Sequence, residues 1–115
     1  LMGTMSAQVD QHPMAYTQFL VALDFWVGPT REIVVTGDPE GAACKELLAV
    51  VQQQFLPNRA LLVKPGGPVG DHLIKLAPFA ANMQPTADGP AAYVCRDFAC
   101  QRPVSDPMEL KKALQ

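Results

Sequence analysis

Two cysteines are the residues whose types and spacing most readily support chemistry. Cys95 and Cys100 enclose four residues, a C-x4-C spacing. Across a hairpin they would come within disulfide reach, and the nearby Arg96 and Arg102 would favour a reactive thiolate. The spacing is not the C-x-x-C of a thioredoxin site, and some strand registers would place the two on opposite faces. We therefore predict either a redox pair at Cys95 and Cys100 or, more commonly for cysteines in strands, buried structural thiols.

The sequence gives less support for a metal site or for a catalytic cysteine. A metal site would have to add Cys44, His12 or His72 to the cysteine pair, and zinc sites usually contain two close ligand pairs. Cysteine catalysis would need a base with an orienting group, and His72 is better explained as a surface or helix-capping residue. We expect no catalytic residue, no metal and no cofactor in this chain.

Two glycine-rich stretches, residues 37–41 and 66–70, predict turns and not phosphate sites. Neither contains the ending of a P-loop or the order of a dinucleotide fingerprint. The first stretch follows a strand and precedes a helix, where anions can bind, but its Asp38 and Glu40 would repel a phosphate.

The composition narrows the class of protein. The 115 residues suit one compact domain, and 49% hydrophobic with 17% charged residues argue against disorder. A net charge of -2 without clustered Lys and Arg argues against nucleic-acid binding. No apolar run approaches the roughly 18 residues of a membrane span, and no leader resembles a signal peptide. We expect a cytoplasmic protein and, because the first residue is Leu1, part of a longer chain.

The strongest helical pattern begins at Pro13, which suits a first helical position. Apolar residues then recur at steps of three and four up to Val27, before Gly28-Pro29 ends the pattern. Residues 1–11 give a weak signal for the tail of an earlier helix. The first clear helix is apolar on more than one side, so we expect it to cover one face of a sheet.

The sheet itself is predicted from a strand, helix and strand in succession. A β-branched strand over residues 31–36 precedes a helix over 42–55, whose buried stripe would be Leu47, Leu48, Val51 and Phe55. A second strand covers residues 60–63. The helical crossover favours parallel strands with a right-handed connection.

The rest of the sequence, residues 69–115, predicts a hairpin and a last helix. Residues 69–90 predict a long ordered loop with a short helix at 72–76. Strands at 91–95 and 98–103 would pair through Arg96-Asp97. Asp106 would cap a final helix, with Pro107 as its first residue and Glu109 at the capping-box position. The fold class is α/β: a small βαβ sheet extended by a hairpin, with flanking helices.

Several segments together resemble a known family. They are residues 12–16, 32–38 and 55–58, and above all the ending formed by residues 92–101 and 103–107. This pattern, spread from about residue 7 to the end, resembles the C-terminal end of the YyaL-type thioredoxin-domain proteins, the spermatogenesis-associated protein 20 family.

The resemblance implies a multidomain parent protein. Such a parent carries a thioredoxin-like domain and then an α/α barrel similar to sugar epimerases and six-hairpin glycosidases. Residues 1–28 would be a terminal helical segment of that barrel, and 29–115 a small α/β C-terminal domain. The family's thioredoxin-type cysteines match no residue here, so the resemblance transfers no redox activity to this chain.

Three functional hypotheses follow. The first is a non-catalytic structural and interaction module whose partner is the rest of the parent chain, with the first helix able to form a homo-oligomer when that partner is absent. The second is part of a carbohydrate-active enzyme, with His12 and Tyr16 facing its pocket. The third is an accessory dithiol in which Cys95 and Cys100 exchange with the parent's thioredoxin-like domain.

Overall fold

The computed structural model describes residues 2–97 and 99–115 and shows a mixed α/β fold. Phe98, the first residue of the last predicted strand, lies outside the described residues. Short 3-10 turns occur at Pro13–Tyr16 and Pro78–Ala80. The helices and strands are, in chain order, α1 (Met2–Gln11), α2 (Thr17–Val27), β1 (Arg31–Thr36), α3 (Ala42–Gln53), β2 (Arg59–Lys64), α4 (Gly67–Leu76), β3 (Ala91–Arg96), β4 (Ala99–Cys100) and α5 (Pro107–Leu114).

The four described strands form one sheet in the order β2-β1-β3-β4. β1 pairs with β2 in parallel and with β3 antiparallel, and β3 and β4 form the hairpin. The predicted βαβ unit is confirmed. β1 is central, and its Ile33, Val34 and Val35 are fully buried because both of its faces are covered.

Helices α3 and α5 cover one face of the sheet. Their buried side chains, Leu47, Val51 and Leu110 among them, pack against Ile33 and Val35 of β1. The predicted cap of α5 is confirmed, since Asp106 Oδ1 accepts hydrogen bonds from the backbone N–H groups of Met108 at 2.8 Å and Glu109 at 2.9 Å. This cap satisfies two of the unpaired N–H groups in the first helical turn.

The opposite face is covered by the segment after α4, and the prediction that the first helix would cover it is wrong. Ala80 and Met83 pack there against Val34 and Cys95. The buried Lys64 at the end of β2 fixes this segment, because its Nζ donates to the carbonyls of Ala80 (2.8 Å), Ala81 (3.1 Å) and Met83 (2.6 Å).

The bounds of two predicted helices need correction. α4 begins at Gly67, where only a turn was expected, with Pro68 in its first turn. A Cβ at Gly70 would lie 2.1 Å from the Pro65 carbonyl oxygen, so glycine lets the helix start close to the strand end. α3 ends at Gln53, and Phe55, predicted in its buried stripe, is 91% exposed. It leaves the stripe because Gln54 already has extended backbone angles.

The fourth strand is shorter than predicted. Backbone bonds join Gln101 to Val94 and Val104 to Ala92, so three residues advance on one strand against two on the other. This is a bulge around residues 102–103. Pro103 has no N–H to continue the ladder, which explains why regular pairing ends at Cys100.

Candidate functional site

Cys95 and Cys100 form a disulfide across the β3-β4 hairpin. The two residues are direct cross-strand partners, and their Cα atoms lie 3.9 Å apart. Because Gln101 N–H bonds to the Val94 carbonyl, the cysteine pair is the neighbouring, non-hydrogen-bonded pair, in which opposite side chains approach most closely. Asp97 turns the hairpin with a φ of 50°, a conformation that Asp tolerates better than most residues.

The two sulfurs differ in environment. Cys95 is 2% exposed and packs with Val34, Ala80 and Met83, whereas Cys100 lies on the exposed edge strand. Disulfide exchange begins with attack by a thiolate on one accessible sulfur, and the other sulfur leaves. The structure therefore offers Cys100 for attack and makes Cys95 the buried leaving group.

A carboxylate that sequence reasoning missed lies beside this pair. Glu32 of β1 is the direct cross-strand partner of Cys95, so both side chains project to the same face of the sheet. Its Oε1 accepts a hydrogen bond from the Thr30 hydroxyl at 3.5 Å. Its Oε2 is buried and has no hydrogen-bond partner among the described residues. The available signal was an acidic residue at the start of an otherwise β-branched strand.

The arginines predicted to activate the thiols do not gather around them. Arg96 Nη2 donates to the Ala113 carbonyl of α5 at 3.5 Å, on the sheet face opposite to Cys95. Arg102 lines a separate shallow cleft with Asp88 and Asp106. A low-pKa thiolate held by these two cations therefore has no geometric support.

Cys44 is a separate, structural thiol. It is fully buried in α3, within the core on the other side of the sheet. Burial, and secondarily the negative charge of Asp38, raise the pKa of the Cys44 thiol. It therefore stays protonated and unreactive at neutral pH.

The remaining predicted site residues are not brought together. His12 is exposed and Tyr16 half-buried in the N-terminal segment, and neither lines the clefts described in this section. Their placement in a sugar pocket stays a prediction. His72 is exposed on α4. Within the described ranges, no three His, Cys, Asp or Glu side chains are grouped to hold a metal ion.

A cleft of 280 Å³ lies where the chain passes from α2 to the sheet. Arg31, Asn58, Arg96 and the exposed Phe55 are among its lining residues. Arg31 Nη1 donates to the Leu114 carbonyl, so the two arginines bind the carboxyl end of α5, where the helix dipole favours positive charge. Two of the residues that line the cleft, Arg31 and Arg96, therefore hold α5 against the sheet.

This chain is similar in sequence to several curated proteins. It is 31% identical to spermatogenesis-associated protein 20 of Rattus norvegicus and 31% identical to that of Homo sapiens, over 99% of its own length in both cases. It is 28% identical, over 93% of its length, to an uncharacterized protein of Caenorhabditis elegans. The chain spans 14% of the length of each of these relatives.

The other comparisons gave no match to a family profile or to a solved structure. No helix in the described part of the chain has both the length and the apolar character needed to cross a membrane. The match to spermatogenesis-associated protein 20 extends over nearly every residue, as the sequence resemblance implied. The chain therefore matches, over nearly its whole length, a C-terminal region of the spermatogenesis-associated protein 20 family.

Proposed function

We propose that this chain is a non-catalytic interaction module that docks, through helix α2, onto the remainder of a longer parent chain. One observation carries the proposal: apart from Thr17, Gln18 and Asp24, every residue of α2 is apolar, yet the helix has no buried residue. A helix that is apolar on all sides is ordinarily buried in a protein core. The surface of α2 therefore calls for a protein partner.

The exposed side chains on α2 are large. Trp26 is 78% exposed, Val27 74% and Val21 65%. Asp24 and the backbone at Gly28 hold the end of the helix against Asn58, with a 3.1 Å hydrogen bond from Asn58 Nδ2 to Asp24 Oδ2. This junction fixes where α2 joins the α/β part of the chain.

The length of the relatives indicates which partner could cover α2. The relatives extend far beyond the 14% that matches, so covering sequence is available within one polypeptide. We propose the boundaries 1–28 and 29–115, with the first segment completing an α/α barrel of a thioredoxin-domain parent, as the resemblance implies. A cytoplasmic location is part of this proposal.

The single tryptophan provides the test. In the isolated chain, Trp26 should emit at the long wavelength of a solvated indole and be quenched readily by acrylamide. Addition of the parent protein lacking these 115 residues should shift the emission to shorter wavelength and reduce quenching. Val21→Asp should weaken that association at least tenfold, because it places a charge in an apolar interface.

Val69 is a matched control, since it is 68% exposed on α4, outside the proposed interface. Val69→Asp should leave the association unchanged. Equal loss with both variants, or a Trp26 emission unaltered by the parent, would contradict the docking proposal. A blue-shifted emission that depends on the concentration of the isolated chain would instead show that α2 pairs with a second copy.

The disulfide supports a second candidate function, an accessory dithiol. Disulfides in the cytosol are usually transient and catalytic, and the accessible Cys100 suits that role. A thiolate of a partner dithiol protein would attack Cys100 Sγ and expel Cys95 as a thiolate, which takes up a proton. The partner's second thiol would then complete its own disulfide and release Cys100 as a thiol.

Exchange of the oxidised chain with a reduced thioredoxin-type protein tests this function. Cys95→Ser keeps Cys100 as a free thiol, which should attack the disulfide of the oxidised thioredoxin-type protein and form a mixed disulfide, whereas Cys100→Ser should form none under the same conditions. Replacement of both with no change in the redox behaviour of the parent would remove the dithiol function. The carbohydrate-active alternative stays a prediction, and loss of sugar binding by the parent on His12→Ala would support it.

A further inference from the structure

We infer that Glu32 is a positioning residue for the Cys95–Cys100 pair: it accepts a hydrogen bond from the Cys95 thiol in the reduced state and so favours reduction. This inference rests on the dithiol function proposed above. It begins from the buried Glu32 Oε2, which has no hydrogen-bond partner within the described residues. A buried acceptor without a donor costs free energy, and a disulfide sulfur has no hydrogen to donate.

Strand register makes the new bond possible. Glu32 and Cys95 are directly opposite on adjacent antiparallel strands, where Cβ atoms are about 5 Å apart and side chains interact. On the other side, Glu32 is paired with Ala60 of β2, whose methyl group offers no donor. The Thr30 hydroxyl already serves Oε1. The thiol that Cys95 gains on reduction is thus the polar group that the register brings to the unpaired oxygen.

The charged groups near Glu32 and its cross-strand partner Cys95 support the same assignment. Arg31 and Arg96 reach the carboxyl end of α5 on the other sheet face. Lys64 lies four residue pairs further along β2 than Ala60, the partner of Glu32, and its Nζ donates to three carbonyls. The described contacts therefore give Glu32 no ion pair to compete with a thiol donor.

The chemical balance is simple. A reducing dithiol loses two hydrogens and forms its own disulfide, while Cys95 and Cys100 each gain one hydrogen as their S–S bond breaks. The S–H of Cys95 then donates to Glu32 Oε2, and the exposed thiol of Cys100 is solvated. Glu32 thereby lowers the free energy of the dithiol form and not that of the disulfide form.

The test is the reduction potential of the full chain, measured by equilibration in glutathione and dithiothreitol buffers at a fixed pH. Glu32→Leu, which removes the acceptor, should lower the equilibrium constant for reduction about tenfold, equivalent to about 30 mV toward negative potential. Glu32→Gln retains a carbonyl acceptor, so its reduction potential should lie between that of the unaltered chain and that of Glu32→Leu. Glu46→Gln on α3, exposed and remote, is the matched control and should have no effect.

Thermal unfolding of the oxidised and reduced forms separates this role from a purely structural one. Glu32→Leu should destabilise the reduced form relative to the oxidised form, since only the former loses a hydrogen bond. An unchanged or more positive potential in Glu32→Leu would overturn the inference. Failure of the dithiol function gives a different result: the bond would resist glutathione and exchange with no protein dithiol, although dithiothreitol would still report the effect of Glu32.

Discussion

Helices α2 and α3 are similarly apolar and of nearly equal length, 11 and 12 residues, but only one of them belongs to a core. α3 buries Cys44, Leu47 and Val51 against the sheet, whereas α2 has no buried residue. Within residues 3–28, Val9 of α1 is the one buried side chain. The comparison shows that an apolar helical pattern specifies that a helix will be covered, but not what covers it.

The difference lies in the polar residues. α3 has Lys45, Glu46 and glutamines on its outer side, so its sequence indicates which side of the helix faces water. α2 has Asp24 as its single charged residue, and its apolar residues surround the helix. A helix with a one-sided apolar stripe is covered by one face of a sheet. A helix without a polar side needs neighbours on several sides, and the described residues leave none of its side chains buried.

Truncation of matched leucines should separate the two regions most strongly. Leu47→Ala, at 1% exposure, should lower the free energy of unfolding by about 3 kcal/mol through lost burial and a cavity. Leu23→Ala on the half-buried face of α2 should cost less than about 1 kcal/mol, because little surface is re-exposed. Urea denaturation of both variants measures this, and similar losses would contradict the division of the molecule.

Lys64 tests what covers the second face of the sheet. Lys64→Met keeps an unbranched apolar side chain but leaves the three carbonyls of the covering segment without their shared donor, at a cost of about 2 kcal/mol. Hydrogen exchange should accelerate in residues 78–84 and stay unchanged in α2. Acceleration in α2 instead would mean that the N-terminal helix contributes to that face.

The caps provide a smaller contrast. Asp106→Ala should destabilise the α/β part by about 1 kcal/mol, since two N–H groups lose their acceptor. Tyr16 at the start of α2 makes no side-chain cap hydrogen bond, so Tyr16→Ala removes no such contribution. Thermal unfolding distinguishes the two, and a harmless Asp106→Ala would show that α5 is held by packing alone.

Local patterns predicted the parts of the fold that depend on near neighbours. The β-branched strand 31–36, the crossover helix and the Asp106-Pro107 cap each depend on residues a few positions apart, and all three were confirmed. The failures involve distant segments. The start of α4 depends on the close approach of Gly70 to Pro65, and the cover of the second face depends on Lys64 meeting carbonyls some 16 to 19 residues away.

The candidate site divides in the same way. The sequence identified Cys95 and Cys100 from their spacing but left their register open, and register decides that they face each other. Glu32 was missed because its importance comes from strand pairing with a residue 63 positions later. No local pattern records which acidic residue will lie opposite a cysteine.

Hydrogen exchange of the α2 amides, in the isolated chain and in the longer parent, tests the docking proposal most directly. In the isolated chain, the amides of Thr17–Val27 should exchange much faster than those of α3, because no core protects them. In the parent they should slow to rates comparable with α3. Protection of α2 equal to that of α3 in the isolated monomer, or no gain in the parent, would contradict the proposal that α2 is the docking helix.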